Sequence, residues 1–268
     1  MATALVTGAS AGLGAEFAAQ LAARGDNLVL VARRAELLDA LAVRLRAQHG
    51  VDVEVLAADL LTPDGRDATR ARLVDAERPI DLLVNNAGFG TYGELVDLDP
   101  GRLRRMVQLN IEVVVDLAHA AARAMAARGG GAILNVASTA GFQPNPTAAV
   151  YGATKAFVRS FSRSLHAELA RSGVTVTVLS PGLTNTEYQQ VAEIAPTGVT
   201  AMMAMEAGPV VRSGLRAVSR GRAEVVPGPF NKASAPLMQR LPSGLAGWMS
   251  GRLHRMWLTT RQSGGDSG

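Results

Sequence analysis

Short apolar runs and longer mixed stretches alternate along most of the chain. The apolar runs predict strands at residues 4–7, 27–32, 51–57, 80–84, 132–136, 174–179 and 223–226. The mixed stretches have helical spacing and predict helices at residues 12–24, 35–48, 64–77, 100–128 and 151–172. Because nearly continuous apolar strands that alternate with helices are buried on both faces, we expect an α/β fold with a doubly wound parallel sheet of about seven strands.

The rhythm of the pattern changes after Pro181. Residues 187–208 have a helix-forming composition that is rich in Met and Ala, and residues 230–260 place apolar side chains at spacings of three and four with basic side chains between them. We therefore expect a main domain at residues 1–229, with a substrate loop at about 187–208. An amphipathic extension would follow at 230–260, and residues 261–268 would form a disordered tail.

Two interpretations of the amphipathic extension remain open. It could cap the mouth of a substrate site or contact another subunit, which is the interpretation that we favour. The basic side chains among its apolar positions could instead bind a membrane surface or a lipid substrate.

Composition excludes several classes of protein. The chain has 268 residues, of which 48% are hydrophobic and 19% charged, as in a compact folded protein. Cysteine is absent, so disulfides and thiolate chemistry are excluded, and the four histidines are too scattered for a metal site. The net charge is +4, but no dense basic run contains aromatic side chains, so we expect no nucleic-acid binding.

The N-terminal residues run directly into the first apolar strand, without the charged and apolar regions of a secretory signal. No apolar run approaches the roughly 18 residues that a membrane span needs. We therefore expect a cytoplasmic protein.

A glycine-rich loop follows the first predicted strand. The residues Thr7-Gly8-Ala9-Ser10-Ala11-Gly12-Leu13-Gly14 precede a helix, and no Gly-Lys-Ser/Thr sequence follows them, which excludes a Walker A loop. Glycines let a backbone approach a pyrophosphate that rests on a helix N-terminus. The alternative is an ordinary tight turn between a strand and a helix.

The second predicted strand ends in Ala32-Arg33-Arg34. A site for NAD usually has an acidic residue there, which binds the ribose 2′-hydroxyl. Because Ala32 takes that place and the guanidinium of Arg33 suits a 2′-phosphate, we favour NADP(H) over NAD(H). The alternative is that the two arginines form a solvated start of the next helix.

Tyr151 and Lys155 are candidates for proton transfer. Residues four apart lie on one face of a helix, one turn from each other. An ammonium beside a phenol favours the phenolate and lowers the phenol pKa from its usual value of about 10. Tyr151 could therefore act as an acid or base near neutral pH. On its own, a Tyr-x-x-x-Lys sequence arises by chance in many helices.

Together these motifs resemble the short-chain dehydrogenase/reductase family, in its single-domain branch with a Rossmann fold. The glycine-rich loop is similar to the TGxxxGxG loop of the family, Asn85-Asn86-Ala87-Gly88 to its NNAG motif, and residues 180–186 to its PGxxxT segment. Seven motifs occur in family order between residues 3 and 227. The resemblance implies these cofactor-binding residues: Gly8, Ser10, Gly12, Leu13, Gly14, Arg33, Asp59, Leu60, Asn86, Ala87, Gly88, Tyr151, Lys155, Pro181, Gly182, Thr184 and Thr186.

The resemblance also implies a catalytic tetrad of Asn110, Ser138, Tyr151 and Lys155. In that family Ser138 would stabilise the substrate oxygen and Tyr151 would transfer the proton. Lys155 would lower the Tyr151 pKa and bind the nicotinamide ribose, and Asn110 would hold a water that connects Lys155 to solvent. The expected reaction is hydride transfer between NADP(H) and a carbonyl or secondary alcohol.

The substrate loop favours a lipophilic carbonyl or alcohol, because its apolar residues make it apolar and adaptable. They are Val191, Ile194, Val199, Met202, Met203 and Met205. These side chains could equally pack against the body of the protein. The resemblance implies a homodimer or homotetramer, with residues 100–128 and 151–172 as candidate interfaces. Two alternative functions remain open, a sugar-nucleotide epimerase or dehydratase and a non-catalytic nucleotide sensor or scaffold on the same fold.

Overall fold

A seven-stranded parallel sheet forms the centre of the computed structural model, which describes residues 2–185, 204–242, 244, 245, 247, 250 and 251. The strand order is β3-β2-β1-β4-β5-β6-β9, and every pairing is parallel. The strands of this sheet are β1 Thr3–Thr7, β2 Asn27–Ala32, β3 Val53–Ala57, β4 Leu82–Asn85, β5 Gly131–Val136, β6 Val174–Leu179 and β9 Glu224–Val225. Two short strands, β7 Thr184–Asn185 and β8 Met205–Glu206, pair separately.

Helices cover both faces of the sheet. They are α1 Gly12–Ala22, α2 Ala35–His49, α3 Pro63–Val74, α4 Pro100–Val107, α5 Val113–Ala127, α6 Ala149–Leu169, α7 Ala207–Ser219 and α8 Pro229–Arg240. One apolar layer packs α1, α2 and α7 on the sheet through side chains such as Phe17, Leu38 and Val210. The opposite layer packs α3 and α5 through side chains such as Leu73 and Leu117. The predicted doubly wound sheet is thereby confirmed.

The predicted helix at residues 100–128 is wrong in one respect. It is divided into α4 and α5 by a π-helical segment, Gln108–Glu112. Asn is a poor former of α-helix, and single π turns frequently mark functional sites. The interruption therefore coincides with the one residue of this stretch that the family resemblance singled out, Asn110.

The second difference concerns the predicted helix at residues 187–208. Residues 186–203 lie outside the described residues, but Met205–Glu206 is a strand and α7 begins only at Ala207. The patterns above do not predict α7, which contains Pro209 and Gly214. Pro209 lies in the first turn, where its missing N–H is not needed. Gly214 lies where a Cβ atom would be 3.0 Å from the Leu179 side chain, so close packing on the sheet explains it.

Candidate active site

The predicted site residues lie at the carboxyl edge of the sheet. The strand order reverses between β1 and β4, and ligands of open α/β sheets bind at such a switch point. The segments that follow the strands carry Gly8, Ser10, Gly12, Leu13, Gly14, Arg33, Asp59, Leu60, Asn86, Ala87, Gly88, Ser138, Pro181, Gly182 and Thr184. Thr186, the remaining predicted residue of this set, lies outside the described residues.

The loops after β1 and β4 form one hydrogen-bonded unit. The Thr7 hydroxyl accepts hydrogen bonds from the backbone N–H groups of Asn86 and Ala87, both at 3.0 Å. The Asn86 side-chain amide donates back to the carbonyl oxygen of Thr7 at 2.9 Å. Because these bonds join the two strands on either side of the switch point, they fix the floor of the site.

Glycine is required at two positions of the first loop. Gly8 has φ +66°, and a Cβ atom there would be 3.0 Å from the Cα of Ala87. At Gly14, a Cβ atom would collide with the Gly8 carbonyl oxygen and lie 2.7 Å from the Asn86 amide nitrogen. An ordinary tight turn between a strand and a helix would not account for this close packing of the loop after β1 against the loop after β4. The packing brings the N-terminus of α1 close to the carboxyl edge of the sheet.

The N-terminus of α1 fits a dinucleotide pyrophosphate. Its N-cap residue Ala11 makes no side-chain hydrogen bond to the helix, and no acidic side chain lies in the first turn. The first-turn N–H groups therefore keep their capacity to bind an anion, which the helix dipole also favours.

The end of β2 contacts this loop through Arg34. The Arg34 guanidinium donates to the Ser10 hydroxyl at 3.1 Å, whereas Arg33, the predicted residue, is exposed without a hydrogen bond to the described residues. Asp59, at the end of β3, accepts a hydrogen bond from the Leu61 N–H at 3.0 Å, and Leu60 is buried.

Asn110 connects the π-helical segment to two other parts of the site. Its side-chain oxygen accepts from the Phe89 N–H at 3.1 Å, and its amide donates to the Phe89 carbonyl at 2.9 Å and to the Thr154 hydroxyl at 3.1 Å. The side chain is fully buried. A Cβ atom at Gly88 would be 2.8 Å from the Asn110 side-chain oxygen and 3.6 Å from the Lys155 ammonium. Both groups therefore converge on Gly88.

Tyr151 and Lys155 are buried together on α6. The Lys155 ammonium donates to the Val136 carbonyl oxygen at 2.9 Å and lies 5.9 Å from the centre of the Tyr151 ring. Burial lowers the Lys155 pKa from 10.5 to about 8, because the charged form loses its hydration. The Tyr92 ring lies 5.8 Å from the Tyr151 ring and forms a neighbouring wall.

Ser138 begins the 3-10 helix Thr139–Phe142 after β5. Its hydroxyl accepts from the Ala140 N–H at 3.1 Å and donates to the Pro181 carbonyl oxygen at 3.5 Å. A Cβ atom at Gly141 would be 2.8 Å from the Lys155 carbonyl carbon, so this short helix packs directly on α6. The turn of Ser138 is thus held against the helix that carries Tyr151.

Helix α8 contacts the loop after β6. A Cβ atom at Gly182 would be 2.8 Å from Cγ of Asn231, whose amide donates to the Pro227 carbonyl at 3.2 Å and contacts the Met205 sulfur at 3.4 Å. Ser250 donates to the Pro144 carbonyl oxygen at 2.6 Å. Described residues after position 204 therefore contact the loop after β6 and the segment between β5 and α6, both of which bear predicted site residues.

Sequence reasoning missed several residues of this arrangement. Thr7 is part of the glycine-rich motif, and its hydroxyl was a usable signal. Thr154 is adjacent to Lys155 and could have been proposed from the helix face. Arg34, Tyr92 and Asn231 had no local signal, because their contacts join residues far apart in the chain.

Two findings bear on other kinds of site. Among the described residues, no group of three His, Asp or Glu side chains is placed to hold a metal ion. No helix within the described ranges is both long and apolar enough to cross a membrane.

The fold and the glycine-rich loop define a nucleotide-binding α/β protein of the doubly wound class. The model of the short chain dehydrogenases matches residues 2–197. The chain belongs to that family, a family of oxidoreductases that use nicotinamide dinucleotides.

Known members of the family differ in what their names say they act on. A short-chain dehydrogenase from Sphingobium yanoikuyae, solved in complex with NADPH, is 38% identical, with a TM-score of 0.81 over 90% of this chain and 97% of that one. The bulky-bulky ketone specific alcohol dehydrogenase of Comamonas testosteroni is 34% identical, with a TM-score of 0.76 over 90% and 95%. Sulfoacetaldehyde reductase of Chromohalobacter salexigens is 38% identical over 68% of this chain and 72% of its own.

Proposed function

We propose that the protein is an NADP(H)-preferring reductase or dehydrogenase that interconverts a lipophilic ketone and a secondary alcohol. The observation that carries the reaction type is the buried pair of Tyr151 and Lys155 on one face of α6, beside the Asn110 network. A buried phenol that lies near an ammonium is an arrangement for proton transfer rather than for stability, since burial of the charge is unfavourable.

The proposed roles of the four residues follow from their chemistry. Tyr151 donates its proton to the carbonyl oxygen of the substrate in reduction, and takes it back from the alcohol in oxidation. The Ser138 hydroxyl donates a hydrogen bond to the same oxygen. Lys155 stabilises the phenolate that remains, and Asn110 holds the π-helical segment beside them. The nicotinamide cofactor, when bound, supplies or accepts the hydride.

The cofactor would be held by the loops at the carboxyl edge. The N-terminus of α1 would bind the pyrophosphate, Asp59 and Leu60 the adenine, and Pro181, Gly182, Thr184 and Thr186 the nicotinamide amide. Lys155 would also bind the nicotinamide ribose.

The preference for NADP(H) rests on the two arginines after β2. Both are exposed, no acidic residue stands at the end of that strand, and Arg34 already contacts Ser10 of the glycine-rich loop. The family member from Sphingobium yanoikuyae was solved with NADPH, which supports the same preference. Hydrogen bonds from a guanidinium to a phosphate are strong and directional.

Thermal shifts with NADPH and NADH test this preference. In the wild type, NADPH should raise the melting temperature more than NADH. The double variant Arg33→Asp/Arg34→Asp should bind NADPH at least about tenfold more weakly. Arg44→Asp, an exposed arginine further along α2, is the matched control and should change neither shift. Equal shifts with both cofactors in the wild type would rule out the preference.

The proposed lipophilic substrate rests on side chains around Tyr151. Tyr92 forms an aromatic wall, and the adjacent segment exposes Leu95 and Val96. That segment is joined to the loop before α6 by a hydrogen bond from the Gly93 N–H to the Thr147 carbonyl, 2.8 Å long. The similarity to the bulky-bulky ketone specific enzyme supports the proposal, and the similarity to sulfoacetaldehyde reductase opposes it.

A substrate panel tests both the reaction and the polarity of the substrate. Wild type should reduce bulky apolar ketones with a kcat/KM at least about tenfold above that for small anionic aldehydes. Tyr92→Ala should lower this ratio, while the thermal shift with NADPH stays unchanged. Turnover of only the small anionic aldehydes would contradict the lipophilic substrate and leave the reaction type standing.

A homodimer or homotetramer is also proposed, through the surfaces of α5 and α6. Phe157 of α6 is 39% exposed and stacks on Phe161 with ring centres 5.9 Å apart, which supports an apolar contact there. Sedimentation analysis of wild type and Phe157→Glu measures the assembly directly. A monomeric wild type would contradict it.

A further inference from the structure

Four arginines border one concavity on the outer face of α7. Arg212, Arg216 and Arg220 follow each other at intervals of four residues, and Arg222 joins them from the turn before β9. All four are exposed, and the concavity has a volume of about 270 Å³. Residues four apart are neighbours on a helix surface, so the backbone positions of the first three arginines span about 12 Å along one side of α7 and its C-cap.

No acidic residue balances these arginines. The sequence contains neither Asp nor Glu between residues 207 and 223. Glu224, the next acidic residue, forms ion pairs with two arginines of α6 instead. Its carboxylate oxygens lie 2.5 Å from Arg159 and 3.8 Å from Arg163. Across the described ranges, none of the four arginines forms an ion pair. The concavity therefore presents uncompensated positive charge.

Elsewhere in the described chain, many arginines do have acidic partners. They are Arg24, Arg70, Arg72, Arg78, Arg105, Arg128, Arg159 and Arg163. Like charges four residues apart destabilise a helix; α7 contains one such pair, Arg212 and Arg216, and Arg220 follows at its C-cap. The helix dipole favours a basic residue in the last turn, which accounts for Arg216 but not for Arg212 or Arg222.

We propose that this concavity binds a small anion that carries two or more phosphate groups. The planar guanidinium matches two phosphate oxygens at once, and a row of three suits adjacent phosphates. The Ser213 hydroxyl borders the same space and can donate a further hydrogen bond. No aromatic side chain lines the concavity, so it offers phosphate recognition without a surface for stacking a base.

This site is separate from the nucleotide site. The concavity borders β9, which is the last strand of the sheet on the β6 side. The glycine-rich loop follows β1, and three strands lie between β1 and β9 in the strand order. Occupation of one site should therefore leave the other accessible.

Titration calorimetry with inorganic pyrophosphate tests the proposal on the full chain, first alone and then with saturating NADPH. We expect one site for pyrophosphate that remains when NADPH is saturating. Bound NADPH fills the glycine-rich loop of the nucleotide site, so pyrophosphate that still binds must bind elsewhere. Arg212→Gln/Arg216→Gln should weaken pyrophosphate binding by at least about tenfold. It should leave the thermal shift with NADPH unchanged, which distinguishes a failure here from a failure of the proposed function.

The matched control is Arg44→Gln, which removes an exposed arginine from α2 near the opposite edge of the sheet. It should bind pyrophosphate as the wild type does. Because the four arginines are exposed, their replacement should not prevent folding, and a melting temperature no lower than that of the wild type would establish this. The proposal is overturned by any of three results: no pyrophosphate binding by wild type, complete displacement by NADPH, or equal binding by Arg212→Gln/Arg216→Gln.

Discussion

Residues 2–185 and the described residues from 204 onward contact the candidate site in different ways. The first region holds its groups with partly buried hydrogen bonds between side chains and backbone, as in the contacts of Asn110 and Thr7. The second region contributes a few packing contacts, such as that of Asn231 with Gly182. The family model matches residues 2–197, which contain the whole first region and none of the second. The contrast teaches that hydrogen bonds within the first region hold the groups of the candidate site, whereas the second region packs against them.

The largest expected effect is that of Lys155→Met in the first region. If Lys155 supports the acid–base residue, the variant should lose about 10²- to 10⁴-fold in kcat. It should also be more stable at pH 7. A Lys pKa lowered from 10.5 to about 8 corresponds to roughly 3 kcal/mol of unfavourable burial. Loss of the hydrogen bond to Val136 offsets about 1 kcal/mol of that gain. Denaturant unfolding and initial rates measure the two effects.

The pH dependence of stability sharpens the same point. Below about pH 8 both the folded and the unfolded chain hold the Lys155 proton, and the full destabilisation is present. Between about pH 8 and 10.5 the unfolded chain binds the proton that the folded chain has lost, so this group makes stability rise with pH. The stability difference between Lys155→Met and wild type should therefore shrink from pH 7 to pH 10. A constant difference would show that burial of the charge is not its cause.

Asn110→Leu should have the next largest effect. It leaves the Phe89 N–H and carbonyl groups without the partner that they have now, and the loss of each of these partly buried hydrogen bonds costs about 1 kcal/mol. We expect a lower free energy of unfolding together with a lower kcat. Thr154→Val is the matched control, because it removes only the bond to Asn110 and one to the Tyr151 carbonyl. An Asn110→Leu variant as stable as the control would contradict the structural role.

Gly182→Ala tests the contact between the two regions. The new methyl group would collide with the Asn231 amide, and we expect a several-fold higher KM for the cofactor with a smaller change in kcat. In an Asn231→Ala background the same substitution should have little effect, because the colliding group is gone. Additive effects of the two substitutions would show that the contact with Asn231 is not the reason that position 182 requires glycine.

Ser250→Ala should have the smallest effect. It removes one hydrogen bond to the Pro144 carbonyl and should cost about 1 kcal/mol or less. We expect relative rates among ketones to change while cofactor binding does not, because the loop of Pro144 precedes α6 and not a cofactor loop. Unchanged relative rates across the panel would show that the Ser250 hydrogen bond does not influence which ketones the protein reduces.

The distinction between local and long-range contacts explains what the sequence could predict. The sheet and the glycine-rich loop were predictable, because apolar runs and glycine spacing are local signals. Asn110 was recognisable as an unusual residue inside a helix, but the π-helical segment depends on partners more than 20 residues away, Phe89 and Thr154. The contact of Arg34 with Ser10, and of Asn231 with Gly182, depends on side-chain positions after folding. Nothing in the local pattern distinguishes Arg34 from Arg33.

Tyr151 is proposed to transfer the proton in a reaction whose other groups the first region holds in place. Single-turnover reduction of a bulky apolar ketone by NADPH, with wild type and Tyr151→Phe, tests this claim most directly. We predict that the variant loses about 10²- to 10⁴-fold in rate while its thermal shift with NADPH stays that of the wild type. A Tyr151→Phe variant with the full wild-type rate would contradict it.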